Sequence, residues 1–401
     1  MIIRYVAVTF IVVALFAPHM GAQKSQWPTN GWPVATPASV GLDPAPLAAL
    51  DQEIASGKHG YVDSMLIIRR GKAVYERSYR HDYDRIYGEL AKIKGPLNPD
   101  PNGQFNYYNP DWHPYYRRGE LHTLQSVTKT ITSILIGIAV SRKEFTDLDT
   151  PVLRFFDTSK VENVDDRKRR LTLRHLLTMT AGLDWNEDLP YSDPNNTAMQ
   201  MEASDDWVKF AINRPMAHEP GTVFAYSSGA SELLSHVFKK VTRRDIDEYA
   251  RKHLFEPLGI RSYYWKRTPT GLADTEGGLY LRPKDLAKIG HLYLMNGVWN
   301  GKRILQADWI RASVTPVVSQ ARGGMKYGFK WWLLPYAEAP ERLAWLASGF
   351  GGQRLVVVPE YDLVVVFTGW SIDPNRPRNI REALEPILRA AGHKVTGGWA
   401  Q

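Results

Sequence analysis

The sequence predicts an α+β fold, in which one antiparallel sheet flanked by helices is built from both chain ends and a mainly helical lobe lies between them. Residues 64–76 have the pattern of a strand, a tight turn and a second strand. Residues 353–368 hold two β-branched apolar runs joined by a turn-forming segment. The middle of the chain shows helical spacing of apolar residues and few strand signals. Strands at both ends with helices between them favour one sheet packed beside a helical lobe.

The individual elements follow from the same periodicities. We expect a single domain over residues 23–401, with an α/β lobe at about 37–120 and 266–395 and a helical lobe at about 121–265. Residues 83–119 are rich in Tyr, Pro, Asn and Gly without a clear period, and such a long irregular segment is expected to wall a site. The helices are expected at residues 44–56, 124–140, 171–180, 205–213, 231–242, 245–254 and 380–390.

The N-terminus has the layout of a secretory signal peptide over residues 1–22. Arg4 supplies the positive charge, residues 6–17 form a short apolar run, and Gly21-Ala22 offers small residues for cleavage. The run is shorter than the roughly 20 apolar residues that a membrane span needs. We therefore expect a periplasmic or secreted protein without a stable membrane span after cleavage, the alternative being an uncleaved anchor.

The composition excludes several classes of site. The chain of 401 residues contains no cysteine, which excludes disulfides, a thiolate nucleophile and acylation as a lipoprotein. Its formal charge is +8, and the densest basic run is residues 167–170. That run lacks the interleaved aromatics or the motif of a nucleic-acid site, so we interpret it as a solvated loop and expect no nucleic-acid partner.

The sharpest local feature is Ser126-Val127-Thr128-Lys129, the one Ser-x-x-Lys in the chain. Positions three apart lie on one face of a helix, so Lys129 can reach the Ser126 hydroxyl. A serine becomes a nucleophile when a neighbouring base takes its proton. Burial would lower the pKa of the lysine toward that of a base, and a helix N-terminus would stabilise an oxyanion. By itself the motif is also compatible with a capping serine followed by a surface lysine.

Two downstream segments could complete such a site. Tyr226 follows a Glu-Pro-Gly turn and precedes an expected helix, where its hydroxyl could move a proton; the alternative is a tyrosine packed in the core. Residues 347–353, Ala-Ser-Gly-Phe-Gly-Gly-Gln, precede an expected strand. The small residues there allow backbone N–H groups to approach a substrate, although a plain glycine turn has the same composition.

Together these motifs resemble the serine β-lactamase and penicillin-binding-protein superfamily, whose signature is Ser-x-x-Lys, Tyr-x-Asn and Lys-Thr-Gly. They are most similar to class C β-lactamase-related hydrolases, which include family VIII esterases and 6-aminohexanoate-dimer hydrolase. The resemblance runs from about residue 121 to 368 and implies a β-lactamase/transpeptidase-like fold. Its supporting segments are residues 173–183, 219–222, 255–259, 276–280 and 284–287.

The resemblance also implies roles for individual residues. Ser126 would be the acylated nucleophile, Lys129 its general base and Tyr226 the second proton-transfer residue. Ser348 and Gly349 match the Thr and Gly of the third motif. The backbone N–H of Phe350 would then join that of Ser126 in the oxyanion hole.

Two departures from the family pattern narrow the range of expected substrates. Ser228 stands where the family usually has Asn, and Ala347 stands where β-lactamases and peptidases have a Lys that helps to bind the substrate carboxylate. Ester or small-amide hydrolysis is therefore the preferred function, with no cofactor. The partner would be a small-molecule ester, amide or peptide substrate. A D-Ala-D-Ala carboxypeptidase or weak β-lactamase, and a catalytically silent binding or sensor module of the same fold, are the alternatives.

Two other hydrolase classes lack their motifs here. His218-Glu219 begins like the His-Glu-x-x-His motif of metalloproteases, but position 222 is Thr, so no metal site is predicted. The chain contains no Gly-x-Ser-x-Gly, which excludes the nucleophile elbow of an α/β-hydrolase.

Overall fold

The computed structural model describes residues 27–115, 119–373 and 380–393. Residues 1–22 lie outside these ranges, so the signal peptide and the export that it implies stay predictions. The predicted lobe boundaries likewise stay predictions. Within the described ranges no helix combines the length and the apolar character that crossing a bilayer requires.

The described residues form twelve strands and twelve α-helices. The strands are β1 (Val62–Arg69), β2 (Lys72–Ser78), β3 (His122–Thr123), β4 (Tyr264–Trp265), β5 (Leu279–Leu281), β6 (Val298–Trp299), β7 (Lys302–Arg303), β8 (Lys326–Tyr327), β9 (Trp332–Pro335), β10 (Leu343–Gly349), β11 (Gln353–Val358) and β12 (Leu363–Gly369). The α-helices are α1 (Pro44–Ala55), α2 (Tyr83–Tyr87), α3 (Val127–Ser141), α4 (Asp166–Arg170), α5 (Leu173–Leu177), α6 (Thr197–Glu202), α7 (Trp207–Asn213), α8 (Ser228–Thr242), α9 (Ile246–Ala250), α10 (Pro283–Leu294), α11 (Ala307–Ser313) and α12 (Ile380–Ala390).

The main sheet joins the two ends of the chain. Among the described residues it has seven strands in the order β2-β1-β12-β11-β10-β9-β8, and all neighbours are antiparallel. The N-terminal strand β1 pairs with the C-terminal strand β12, with Ile67 opposite Val365. The predicted α+β fold, with one antiparallel sheet built from both chain ends, is therefore confirmed.

Helices cover both faces of this sheet. Gly290 of α10 lies so close to β12 that an added Cβ would meet Val364 Cγ1 at 2.6 Å. Phe367, three residues further along β12, lines a small cavity with residues of α1 and α12. Side chains at odd spacing along a strand point to opposite faces, so α10 packs on one face and the α1–α12 pair on the other. This arrangement buries the apolar runs of β11 and β12 completely.

The helical part lies between β3 and β4, and α3 forms its centre. Residues 127–139 of α3 are all buried, because the helix packs against α8 and α9 as well as against β10 of the sheet. The predicted helix at 124–140 begins at Val127, and the one at 171–180 is limited to α5. The N-terminus of α3 consequently lies where the helical part meets the end of a sheet strand, and there it presents Ser126.

Candidate active site

Ser126 directly precedes α3, and the residues before it are fixed by their backbone conformation and hydrogen bonds. Gln125 precedes it with φ of 48°, a left-handed conformation that is uncommon for a residue other than glycine. The Gln125 amide donates to Thr123 Oγ1 at 2.9 Å, and the Leu124 N–H donates to the Leu279 carbonyl at 2.9 Å. Backbone strain of this kind persists only where the surroundings fix it, and it clusters at functional sites. The neighbours of Ser126 are buried, whereas Ser126 itself is partly exposed.

Lys129 is one helical turn further along and meets the serine, as the spacing predicted. Its Nζ lies 2.9 Å from Ser126 Oγ, 2.8 Å from the Glu276 carbonyl oxygen and 3.1 Å from Glu276 Oε2. The lysine is only 1% exposed. Ser126 and Glu276 therefore share the ammonium hydrogens of Lys129.

The expected direction of the Lys129 pKa shift is wrong. Burial alone would lower the pKa of Lys129, but its interactions with Tyr226 and with the carboxylates of Glu276 and Glu187 outweigh burial and raise this pKa above its usual value. The lysine therefore rests as a cation. Sequence spacing gave no indication of these carboxylates, because they come from distant loops.

Tyr226 packs beside this pair, just before α8. Its ring centroid is 5.3 Å from Lys129 Nζ, and it stacks on Trp332 with centroids 5.5 Å apart. Burial raises the pKa of Tyr226, although the charge of Lys129 and a hydrogen bond with Ser126 oppose the shift. The phenol is thus protonated in the resting site and in contact with the nucleophile.

Ser228 contacts two carboxylates. Its Oγ lies 2.8 Å from Glu187 Oε1 and 3.0 Å from Glu276 Oε2, and its backbone N–H donates to Glu187 Oε2 at 2.7 Å. A hydroxyl has one proton and can fully donate it to only one acceptor. The residue that replaces the family's usual Asn is therefore part of an acidic network behind the nucleophile.

Glu187 is the fixed member of that network. Besides Ser228, it accepts hydrogen bonds from Trp185 Nε1 at 2.9 Å and from the Tyr191 hydroxyl at 2.9 Å. Each oxygen of Glu187 thus accepts two hydrogen bonds, which fix the position of its carboxylate. Sequence reasoning did not identify Glu187, and it included Glu276 only within a supporting segment. The Glu-Gly-Gly run directly before a buried strand was the available signal.

The third motif ends β10 next to the nucleophile turn. An added Cβ on Gly349 would meet the Leu124 carbonyl oxygen at 2.4 Å and Gln125 Cβ at 3.0 Å, so only glycine permits this approach. Ser348 precedes it on the strand, and the Phe350 ring packs on Tyr191 with centroids 4.8 Å apart. The predicted residues Ser348, Gly349 and Phe350 thus lie at the strand end beside Ser126. Ala347, which is 1% exposed, brings no charge.

A second buried lysine lies close to this site. Lys330 Nζ is 3.2 Å from Met179 Sδ, and the Lys330 carbonyl accepts from Thr130 Oγ1 at 2.6 Å on α3. Burial, together with the charge of Lys129, holds the pKa of Lys330 well below its usual value, against the opposing charge of Glu187. The surroundings of Lys330 therefore favour its neutral amine, whereas those of Lys129 favour its cation.

The site opens to solvent on the Tyr226 side. A pocket of about 640 Å³ is lined there by Asp188, residues 222–224, Tyr226 and residues 320–322. Arg322 forms an ion pair with Asp188, and its guanidinium carbon lies 5.7 Å from the centroid of the Tyr226 ring. The pocket gives a small molecule room beside Tyr226, which contacts the nucleophile.

Known proteins share this fold, and one of them is similar in sequence over much of this chain. The 6-aminohexanoate-dimer hydrolase of Paenarthrobacter ureafaciens is 24% identical over 286 residues, which are 65% of this chain and 70% of that protein. Most of the other relatives are matched over only 36–38% of their own length, and two are matched over 49% and 71%. At 18% identity, a structure of a putative 6-aminohexanoate-dimer hydrolase from Bacillus anthracis superposes with a TM-score of 0.61, covering 86% of this chain and 81% of that one.

A second solved structure supports the same fold. EstCE1, described as a hydrolase with promiscuous acyltransferase activity, superposes with a TM-score of 0.62 at 17% identity, covering 87% of this chain and 98% of that one. At such identities the two structures establish the fold alone. The Beta-lactamase family model matches residues 51–385, which include every site residue described above. The chain therefore belongs to the Beta-lactamase family of serine hydrolases.

Proposed function

We propose that this protein hydrolyses a neutral ester or small amide through an acyl-enzyme on Ser126, in the periplasm or outside the cell. The observation that carries the proposal is the 2.9 Å contact between Ser126 Oγ and Lys129 Nζ at the start of a buried helix. A nucleophile held by its base beside a helix N-terminus is the arrangement that acyl transfer needs.

The mechanism consists of two acyl transfers. Ser126 Oγ attacks the substrate carbonyl carbon while Lys129, in its neutral form, takes the hydroxyl proton. The carbonyl electrons move to oxygen, and the N–H groups of Ser126 and Phe350 bind the resulting oxyanion. As the bond to the leaving group breaks, Tyr226 donates a proton to that group and regains one from Lys129. Water then attacks the acyl-enzyme along the reverse route and releases Ser126.

The charges around the site favour a neutral substrate. Ala347 supplies no cation at the end of β10, and Glu187 and Glu276 place negative charge behind the nucleophile. A substrate carboxylate directed to this strand would therefore lack a partner. The names of the relatives support ester or amide hydrolysis, since one is a 6-aminohexanoate-dimer hydrolase and another is an esterase.

Arg322 favours the second candidate. Its guanidinium lies over the Tyr226 ring at the mouth of the pocket, where it could bind the carboxylate of a β-lactam or a D-Ala-D-Ala peptide if it released Asp188. A silent binding module remains the non-enzymatic alternative. The retained Ser126, Lys129 and Tyr226 contacts argue against it.

A substrate panel tests the proposal. The purified protein is assayed with a short-chain nitrophenyl ester, an aminohexanoate dimer, a chromogenic cephalosporin and a D-Ala-D-Ala peptide. We expect the ester or the amide dimer to have the highest kcat/KM, and Ser126→Ala to lose more than about 1000-fold of it. Preference for the last two substrates would support the second candidate. Turnover that persists in Ser126→Ala would contradict the nucleophile.

A further inference from the structure

A pair of buried carboxyl groups lies directly behind Lys129. Glu276 precedes β5 and Glu202 ends α6; they are 6% and 7% exposed, and their carboxyl groups contact each other. The Tyr107 hydroxyl donates to Glu202 Oε1 at 2.7 Å, whereas Glu202 Oε2 is buried without a donor. Two carboxylates in contact cannot both be ionised at modest cost. A proton on Glu202 Oε2 resolves both facts, because it makes that oxygen a donor to Glu276.

The surroundings decide which of the two carboxyl groups is ionised. Burial, followed by the charge of Glu276, raises the pKa of Glu202 well above its usual value. Burial acts in the same sense on Glu276, but the charge of Lys129 and the hydrogen bonds from Glu202, Lys129 and Ser228 keep the pKa of Glu276 below its usual value. The resting pair therefore consists of neutral Glu202 and ionised Glu276.

Lys129 needs an acceptor for its surplus proton before it can act as a base. Its Nζ is buried, and Glu276 Oε2 at 3.1 Å is the carboxylate oxygen within hydrogen-bond reach among the described residues. The same Nζ contacts Ser126 Oγ on its other side. A single proton hop in each direction would therefore connect Ser126, Lys129 and Glu276 without passing through bulk water.

We propose that Glu276 is the proton acceptor of Lys129: one N–H bond of the ammonium breaks, an O–H bond forms at Oε2, and the resulting neutral amine deprotonates Ser126. This proposal rests on the acyl-enzyme function above. The ion pair is the resting state, and the neutral pair is the minor species that reacts. Since Glu276 acts through Lys129, it is a positioning residue.

Ser228 is placed to stabilise the transferred state. In the resting state its hydroxyl contacts two carboxylate acceptors and can donate to only one of them. Once Glu276 Oε2 carries a proton, it can donate to Ser228 Oγ at 3.0 Å, and Ser228 then donates to Glu187 Oε1 at 2.8 Å. Both contacts of the Ser228 hydroxyl then become hydrogen bonds.

The pH dependence of this step involves several neighbouring groups. Charged or titratable side chains that influence Glu276 come from α3, α6 and α8, from the loops around β4 and β5, and from the loops that precede β3, α6 and α8. They are Lys129, Glu202, Glu232, Lys266, Asp274, Tyr107, Tyr191 and Tyr226. A useful test must therefore separate the loss of the proton acceptor Glu276 from a general change in the electrostatic field at Lys129.

Glu276→Gln removes the acceptor while keeping the side chain's size. We expect its burst rate of acyl-enzyme formation with a nitrophenyl ester to fall about 100-fold at pH 7 and to recover as pH rises, because Lys129 must then lose its proton to hydroxide. Glu276→Asp should restore part of the rate at pH 7. Were Glu276 to act on Lys129 only through its charge, its removal would instead lower the pKa of Lys129, leave more of the lysine neutral at pH 7 and speed acylation.

Two matched variants separate proton transfer from structure. Glu202→Gln replaces a neutral carboxyl by an amide that still donates to Glu276, so its acylation rate and pH profile should stay within about threefold of wild type. Glu232→Gln alters a buried carboxyl that holds the backbone N–H groups of residues 275 and 276. It should lower stability without changing the shape of the pH profile. A pH profile like that of Glu276→Gln in either variant would overturn the proposal.

The pH dependence of the wild-type burst rate covers the case in which Glu276→Gln does not fold. Because Glu276 takes the proton inside the site, Lys129 and Glu276 together hold the same number of protons before and after the transfer, and the wild-type acylation rate should be nearly constant between about pH 7 and pH 9. A rise of about tenfold per pH unit over this range would show that Lys129 loses its proton to solvent and would refute the proposal. Failure of the proposed function itself would be distinct, since no acyl-enzyme would form.

Discussion

Lys129 and Lys330 are both almost fully buried near the same helix, yet their pKa values move in opposite directions. Lys129 is 1% exposed and Lys330 is 2% exposed. Lys129 contacts Glu276, and the charge of this glutamate helps to raise the pKa of Lys129. Lys330 contacts a methionine sulfur instead, and burial lowers the pKa of Lys330. Burial therefore does not decide whether a lysine is charged in this protein. The partner of the amino group does.

The two lysines also differ in what they contribute. The pair of Lys129 with Glu276 keeps a charge and a transferable proton next to Ser126. Lys330 offers an uncharged amine that fills space between α3 and Met179. Substitutions that exchange or remove these partners should change catalysis at the first lysine and stability at the second.

The largest expected effect is on activity at the charged lysine. Lys129→Met should reduce kcat/KM by about 1000-fold, because the serine loses both its base and the cation that contacts it. Lys330→Met is the matched control and should retain at least about a third of the activity. Steady-state kinetics with the best ester or amide substrate would measure both. Equal losses in the two variants would refute the division of roles.

The next effect concerns the glycine that brings β10 to the nucleophile turn. Gly349→Ala would place a Cβ 2.4 Å from the Leu124 carbonyl oxygen, so the strand end and the Phe350 N–H must shift. A displacement near 1 Å in an active site costs about 100-fold in rate, and we expect a fall of this size in kcat. Gly95→Ala, where no atom lies within 4 Å of the new Cβ, should leave kcat unchanged. A fully active Gly349→Ala variant would contradict the assignment of this strand end to the oxyanion hole.

A smaller effect follows from the neutral state of Lys330. Between its lowered pKa in the folded chain and its usual pKa of about 10.4, Lys330 is neutral in the folded chain and protonated in the unfolded one, so unfolding takes up a proton. Stability should therefore rise with pH from neutrality toward that value. The difference in unfolding free energy between wild type and Lys330→Met should grow by about 1.4 kcal/mol per pH unit. Urea unfolding at pH 7, 8 and 9 would measure it, and a constant difference would mean that Lys330 is charged in the fold.

The smallest effect is expected where an ion pair remains in water. Arg174 and Asp149 form two hydrogen bonds of 2.7 and 2.8 Å, but their side chains are 41% and 61% exposed. Arg174→Ala should lower the unfolding free energy by less than about 1 kcal/mol. The same urea experiment measures it. A loss of unfolding free energy above about 2 kcal/mol would contradict the expectation that exposure to solvent weakens this ion pair.

Sequence patterns predicted the parts that depend on local order. The β-branched runs at 353–368 form β11 and β12, and the apolar run after Ser126 forms α3. In each case the local pattern of apolar residues already indicates which side chains are buried. α10 was not predicted, although Pro283 at its first position was a usable start signal. The short strands β8 and β9 carry too few residues to show alternation.

The acidic network was beyond sequence reasoning for a physical reason. Glu187, Glu202 and Glu276 come from three separate segments, and only tertiary packing brings them to Lys129 and Ser228. No local pattern distinguishes a buried glutamate from an exposed one. The lysine's pKa was therefore predicted from burial alone, and the prediction had the wrong sign.

The central claim is that Ser126 is the nucleophile and that Lys129 activates it. Mass spectrometry of peptides from the protein treated with a fluorophosphonate probe tests it most directly. We expect a single adduct on the peptide containing Ser126, a much slower reaction in Lys129→Met, and no adduct in Ser126→Ala. An adduct on another residue, or labelling that persists in Ser126→Ala, would contradict the account.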